Sequence, residues 1–308
     1  MSAAEERLAR DSARKGWLLS LPALVLLFVA ASGPLLIVVI YSFLTPGQHG
    51  NVVWEFSTGG WVGILWSQDI FTQEWVLADA HLAIFWRSLW LSLLTTGFTF
   101  LVGFPTAWFI ATRPPKERAL WLFLITIPFW TNLLIRNYAW LIILREQGWV
   151  AQSLNALLPQ AGGITLLYND FAVSVGLVYS FLPFMILPIY STLEKLDWRL
   201  VEAAYDLGAN RWLALRRVIL PLSMPGVIAG ALLVFVPSLG AFITPAILGG
   251  GKTLMIGNLI QQQFGTARNW PLGSSLSFLL LAILLVSLVF YALYSRKSAR
   301  KLNRGAQA

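Results

Sequence analysis

The sequence predicts an all-α, polytopic membrane protein of six transmembrane helices, and three observations carry that expectation. Of 308 residues, 57% are hydrophobic and only 12% charged, too few polar groups to cover a water-soluble globule of this size. Lipid is therefore the expected solvent and the first expected partner. Apolar runs of the roughly 20 residues that a bilayer helix needs recur six times along the chain. Lysine and arginine then gather on alternate connections between those runs.

The first run, residues 17 to 44, follows Arg7, Arg10, Arg14 and Lys15, an arrangement that resembles the start of a secretory signal. It is too long for one, since a signal core spans about 7 to 15 residues, and no small-residue cleavage pattern follows. An uncleaved first span is expected. The other spans read as 86 to 112, 119 to 144, 172 to 194, 224 to 248 and 272 to 295. Five of the six contain internal proline: Pro22 and Pro34, Pro105, Pro128, Pro183 with Pro188, and Pro237 with Pro245. Membrane helices tolerate such breaks where neighbours or a water-lined cavity satisfy the freed carbonyls, which points to a packed bundle around a pathway. The partition is a tail over 1 to 16, one transmembrane domain over 17 to 295 and a tail over 296 to 308. An outer loop of about 45 to 85 is rich in Trp and Gly, suited to short elements at the membrane interface.

Seventeen of the 22 basic residues fall on one side: the N-terminal tail, Arg113 to Arg118, the segment 195 to 217, and the C-terminal tail. The opposite loops hold Arg87, Arg145, Lys252 and Arg268. The positive-inside rule then places both termini in the cytoplasm, which agrees with an even number of spans.

Other classes are excluded by what is missing. There is no cysteine, and the two histidines, His49 and His81, fall in one polar loop, so thiol chemistry, histidine-held metals and intramembrane proton relays have no residues to build on. No catalytic residue, metal site or cofactor is expected. The net charge of +8 reports topology and not nucleic-acid binding, because the basic residues sit in short clusters between apolar runs. An intramembrane enzyme would need a His, Cys or paired acid in the membrane, and a secondary transporter would need mid-membrane ion-coupling acids and two inverted halves.

The most informative stretch lies in the segment of about 195 to 221. Asp197 is placed to cap a helix, Ala203 and Ala204 favour it, and Gly208 with Asn210 supplies a stop. Leu196, Leu200, Ala203, Ala204 and Leu207 share one face at helical spacing, a small-residue surface suited to a groove on another protein. The competing reading is an ordinary amphipathic loop helix. The spacing decides between them: Glu202-Ala203-Ala204, then Gly208, Leu220 and Pro221 resemble the hallmark of permease subunits of binding-protein-dependent ABC importers, with Val218 where isoleucine is usual. That resemblance implies the type I permease fold, with Glu202, Ala203, Ala204, Asp206, Leu207, Gly208 and Pro221 coupling the spans to an ATPase. It also implies as partners two copies of that ATPase, a second homologous permease and a periplasmic solute-binding protein.

Gly249-Gly250-Gly251-Lys252-Thr253 mimics the end of a phosphate-binding loop. Position 246 is Ala where that motif needs glycine, and a helix precedes it, so a tight outer turn is expected. ATP hydrolysis belongs to the separate subunit.

Pro128 to Trp140, with Leu248-Gly249-Gly250 and Leu254 to Asn258, is similar to the spermidine/putrescine branch of the family over about residues 85 to 295. Ala241 stands where some of those permeases carry an acid, so no acidic contact is carried over. With no Asp or Glu in mid-span, aromatic faces offer cation–π contacts of roughly 0.5 to 2 kcal/mol each. Trp130, Asn132, Tyr179, Phe184, Phe235, Ser238 and Phe242 are the candidate pathway positions, packing being the alternative for each. An opine or amino-acid derivative, or an oxyanion or metal complex, stays open as solute. Arg136 is expected near the outer interface, snorkelling or paired with Glu146 or Asp170. Gly226 and Gly230 form a small-xxx-small pair that packs either on a second permease or within the bundle.

Overall fold

The computed structural model describes residues 3–47, 50–68, 74–157 and 165–305. Residues 1 and 2 of the expected N-terminal tail, His49, Asp69 and residues 306–308 of the expected C-terminal tail lie outside them. The chain forms two compact units, one from residues up to Leu77 with Gln263–Leu279, the other from Ala78–Gln262 with the chain from Leu280 onward.

In the first unit a single helix, α1 (Ala3–Tyr41), runs through both Pro22 and Pro34 without ending. The expected outer loop is not simply irregular. Its β-branched and aromatic residues pair as two short antiparallel hairpins, which the helical expectation did not include: β1 (Leu44–Pro46) with β2 (Val52–Phe56), and β3 (Trp66–Gln68) with β4 (Trp75–Leu77). A short helix, α2 (Gly59–Leu65), joins them. Phe43 stacks on Phe56 at 5.8 Å, and Trp61 meets Phe278 edge-on at 5.6 Å. Phe278 belongs to α13 (Trp270–Gly305), whose later turns fall in the second unit.

The second unit begins with α3 (Asp79–Ala111), seven residues before the expected span start. His81 therefore sits in the first turn of a helix and not in the polar loop. Three helices form the core: α3, α7 (Asp170–Glu194) and α10 (Leu220–Leu239). Ala107, Ile110, Met185, Ile186, Ile189, Leu193 and Val234 are all fully buried between them. Burying each of the larger side chains contributes about 1.5–3 kcal/mol. Gly226 and Gly230 sit at this contact, where an added Cβ would meet Pro188 and Thr192 in one case and Met185 in the other. Of the two readings of that glycine pair, packing within the bundle is the one seen.

The expected span 119 to 144 is two helices, a correction with a local cause. After α4 (Pro115–Trp130), Thr131 is extended and Asn132 starts α5 (Leu133–Leu144), its Oδ1 accepting the Leu134 N–H at 2.8 Å. Pro128 has already removed one helical donor, so the turn that ends α4 is easily opened. The helices on either side of this break are bent by 89°. A short helix, α6 (Trp149–Leu157), comes next. Among the described residues, five helices are long and apolar enough to cross a membrane, or six crossings if the bent pair counts as one.

The expected span 224 to 248 is broken too. α10 ends at Leu239, and α11 (Ile243–Leu248) resumes after Gly240–Phe242. Asn258, in α12 (Ile256–Phe264), holds that break: its Nδ2 donates to the Phe242 carbonyl at 2.8 Å and its Oδ1 accepts the Met255 N–H at 3.1 Å. The Leu254 to Asn258 motif thus has a backbone-bracing role.

Candidate coupling helix and translocation cavity

Between α7 and α10 the chain makes α8 (Arg199–Asp206) and one turn of α9 (Arg211–Ala214). Asp197 Oδ1 accepts the Arg199 N–H at 3.1 Å, the expected cap. The helix stops at Gly208, whose φ is +84°, with the Ala209 N–H bonded to the Ala204 carbonyl and the Gly208 N–H to that of Tyr205. This paired closure needs a left-handed residue, and a side chain there costs about 1–2 kcal/mol. Nothing lies within 4 Å of an added Cβ at Gly208, so backbone conformation and not space demands the glycine. Asn210 does not share that role. It is extended and caps α9, accepting the Leu213 N–H at 2.8 Å.

Val201 is buried and Trp198 and Ala204 are half-buried against the Met185–Leu193 core. Leu200, Ala203 and Leu207 face away, and Leu207 is 89% exposed. The expected common face is thus divided: Leu196 and Ala204 turn toward the bundle, because the helix is anchored through them. Glu202 and Asp206 are exposed beside the outward face. Beyond α9, the Leu220 N–H reaches back five residues to the Leu215 carbonyl, a widened turn over Leu215–Ile219. Pro221, exposed, has no N–H to donate and crowds the preceding turn, the physical reason for the widening. Ile219 and Ala214 join Val201 in the same buried core, and α8 packs on α9 and the widened turn that leads into α10. At that end the Tyr190 hydroxyl donates to Glu194 Oε1 at 2.7 Å, with Arg118 Nη1 3.9 Å from the same oxygen.

A cavity of about 490 Å³ opens among α4, α5, α7, α10 and α11, lined among others by Phe129, Arg136, Ser180, Phe184 and Phe242. Of the seven pathway candidates it collects Phe184 and Phe242. Trp130 is 81% exposed, and Asn132 caps α5. Tyr179 packs edge-on to Trp140 at 5.5 Å, and Ser238 is fully buried, its hydroxyl spent on the Phe235 carbonyl. Phe235 is half-buried away from the cavity lining.

Arg136 pairs with neither of the acids expected for it. Counting 1.5 Å per residue along a straight helix places it near the interface, but the 89° bend cancels that arithmetic. It is 9% exposed, its Nε has no hydrogen-bond partner among the described residues, and it lines the cavity. Asp170 pairs instead with Arg87, at 3.7 Å, while Glu146 lines a separate cavity of about 510 Å³ with Arg145 and Lys252. An arginine inside a membrane helix costs about 2.5–3.5 kcal/mol on insertion scales, so its burial demands compensation. Ser180, another cavity residue that sequence spacing does not reveal, is likewise buried without a partner.

The Gly249 to Thr253 stretch is a turn, with Gly250 and Gly251 at φ +56° and +77° and the Lys252 N–H bonded to the Gly249 carbonyl at 3.0 Å. It comes after a helix, as no phosphate-binding loop does.

Residues 12–301 match the family described as binding-protein-dependent transport system inner membrane component. The chain belongs to that family. The permease is therefore a multi-pass membrane subunit of an ABC importer and is itself no enzyme. It is 47% identical to the spermidine/putrescine transport system permease protein PotB of Haemophilus influenzae over 225 residues, 72% of this chain and 76% of that one. It is 40% identical to PotB of Escherichia coli strain K12 over 242 residues, 79% and 87% of the two chains. Among solved structures, a chain of the bacterial alginate ABC transporter in complex with an alginate pentasaccharide-bound periplasmic protein superposes with a TM-score of 0.65. That match has 17% identity and covers 95% of the permease and 96% of the other chain, a likeness of fold alone.

Proposed function

We propose that this permease carries a polyamine, spermidine or putrescine, from a periplasmic binding protein to the cytoplasm by alternating access. Both chain termini and α8 face the cytoplasm, with the bent pair of α4 and α5 counted as one of six spans. Two copies of an ATPase and a second, non-identical permease complete the assembly. The observation that carries the reading is the seating of α8. Leu200, Ala203 and Leu207 stand free beside Glu202 and Asp206, while Val201 is sunk in the core shared by α3, α7 and α10. A partner gripping the free face pulls on the bundle through that buried contact, because close-packed interiors transmit displacement with little give. Gly208 ends the lever, and the widened turn before Pro221 is the place where it flexes.

The solute assignment leans on the names of the relatives and on the aromatic lining of the cavity, where Phe129, Phe184 and Phe242 offer faces to ammonium groups. One observation favours a second solute class. Among the described residues Arg136 lines the cavity and no carboxylate does, which suits an opine, an acidic amino-acid derivative or an oxyanion. The test is ATP hydrolysis by the reconstituted complex in liposomes, with binding protein and solute supplied. Stimulation by spermidine or putrescine is expected; stimulation only by a carboxylated solute decides for the second reading.

A further inference from the structure

We infer that the cavity beside Arg136 is one half of a charge-paired site whose carboxylate is supplied by a membrane helix of the second permease. The inference rests on the importer reading but not on which solute is carried. Arg136 and Ser180 are 9% and 7% exposed, both line the cavity, and neither the Arg136 Nε nor the Ser180 hydroxyl has a hydrogen-bond partner among the described residues. Both side chains border the cavity and each holds a buried donor without an acceptor among the described residues, a need that a group with several lone pairs would meet. A carboxylate is the side chain that meets an arginine fork and accepts from a hydroxyl at the same time.

This chain does not provide it. Its membrane helices hold Asp or Glu only in their first or last turns among the residues whose side chains are described, and no acid lines the cavity. Asp170 is engaged by Arg87, and Glu194 by Tyr190 and Arg118. A polyamine brings ammonium groups and no acceptor anion. A second copy of this chain brings another arginine and the same lack of acid, so the neighbour that completes the site is non-identical and carries an Asp or Glu within a span. The rim of the cavity agrees with a protein neighbour. Phe129, Phe242 and Leu133 are 49%, 45% and 37% exposed around it, an apolar border that a packed helix would cover while keeping water from the ion pair. Arg136 is then a positioning residue. Paired, it leaves the cavity without the net positive charge that would repel a cationic solute.

Charge reversal across the two permeases tests this in the complete complex of both permeases, ATPase and binding protein in proteoliposomes. Arg136→Glu is expected to lower ATP-driven spermidine uptake roughly thirtyfold or more, the scale of a broken buried pair, and Arg136→Lys less. Changing one membrane-helix Asp or Glu of the second permease to Arg restores uptake in the Arg136→Glu background and damages it alone. Where Arg136→Glu prevents assembly, co-purification of the two permeases is the readout, restored by the same reversal. Native uptake by Arg136→Gln overturns the proposal, as does failure of every such reversal. Loss of carboxylated-solute uptake in Arg136→Gln with spermidine uptake retained also overturns it, assigning the carboxylate to the solute. A native complex that spermidine does not stimulate strikes the polyamine reading and leaves the reversal experiment to be read with the solute that does.

Discussion

The α8 segment and the Arg136 cavity lie on one bundle and are built in opposite ways. Within twelve residues α8 has its cap, its anchor, its free face and its stop, each set by neighbours in sequence: Asp197, Val201, Leu200 with Ala203, and Gly208. The cavity draws Phe129 from α4, Arg136 from α5, Ser180 and Phe184 from α7 and Phe242 from the break before α11, across more than a hundred residues. A local device tolerates change only where its own geometry allows. A cavity depends on how the helices around it pack.

Substitutions that act on one region and spare the other are the way to break this contrast. The largest effect is expected from Glu202→Lys, which reverses a charge beside the free face of α8 and touches no core contact. Uptake should fall to background and ATPase co-purification should weaken, with the protein still in the membrane at native level. Normal uptake would remove α8 from the coupling path. Gly226→Leu should come next, since a side chain there runs into Pro188 and Thr192. Overpacking costs about 1–3 kcal/mol, read as a lower unfolding temperature in detergent together with damage to both regions at once.

Smaller effects sharpen the contrast. Gly208→Ala should cost about 1–2 kcal/mol in the left-handed closure of α8, giving a several-fold drop in uptake with unchanged solute affinity. Gly208→Asn, better suited to that conformation, should lose less. Phe184→Ala should do the reverse, raising the apparent KM by about 2- to 30-fold if one cation–π contact of roughly 0.5–2 kcal/mol is lost. ATPase association should not change. Tyr190→Phe removes one hydrogen bond to Glu194, worth about 1 kcal/mol, and should shift thermal unfolding by a few degrees with little change in transport.

The same contrast explains what could be read in advance. Helix-forming and helix-ending residues act over a few positions, so the cap at Asp197, the stop at Gly208 and the turn at Gly250–Gly251 were legible from spacing. The break at Thr131–Asn132 left weaker marks, a proline three residues earlier and an Asn able to cap the next helix, inside an otherwise continuous apolar run. Phe184 and Phe242 are aromatics in expected spans, as are Trp130 and Tyr179, which stand elsewhere. Composition does not distinguish an aromatic that lines a cavity from one that packs on a neighbour.

What the amino-acid order determined by itself is the solvent, the number and rough limits of the apolar runs, and the motif that identifies the family, because hydropathy and short-range spacing are properties of neighbouring residues. Only the tertiary structure decided that Asp170 belongs to Arg87, that Gly226 and Gly230 receive α7, and that Arg136 and Ser180 line one cavity. Those are contacts between distant segments, and a bend of 89° between α4 and α5 redirects every side chain beyond it.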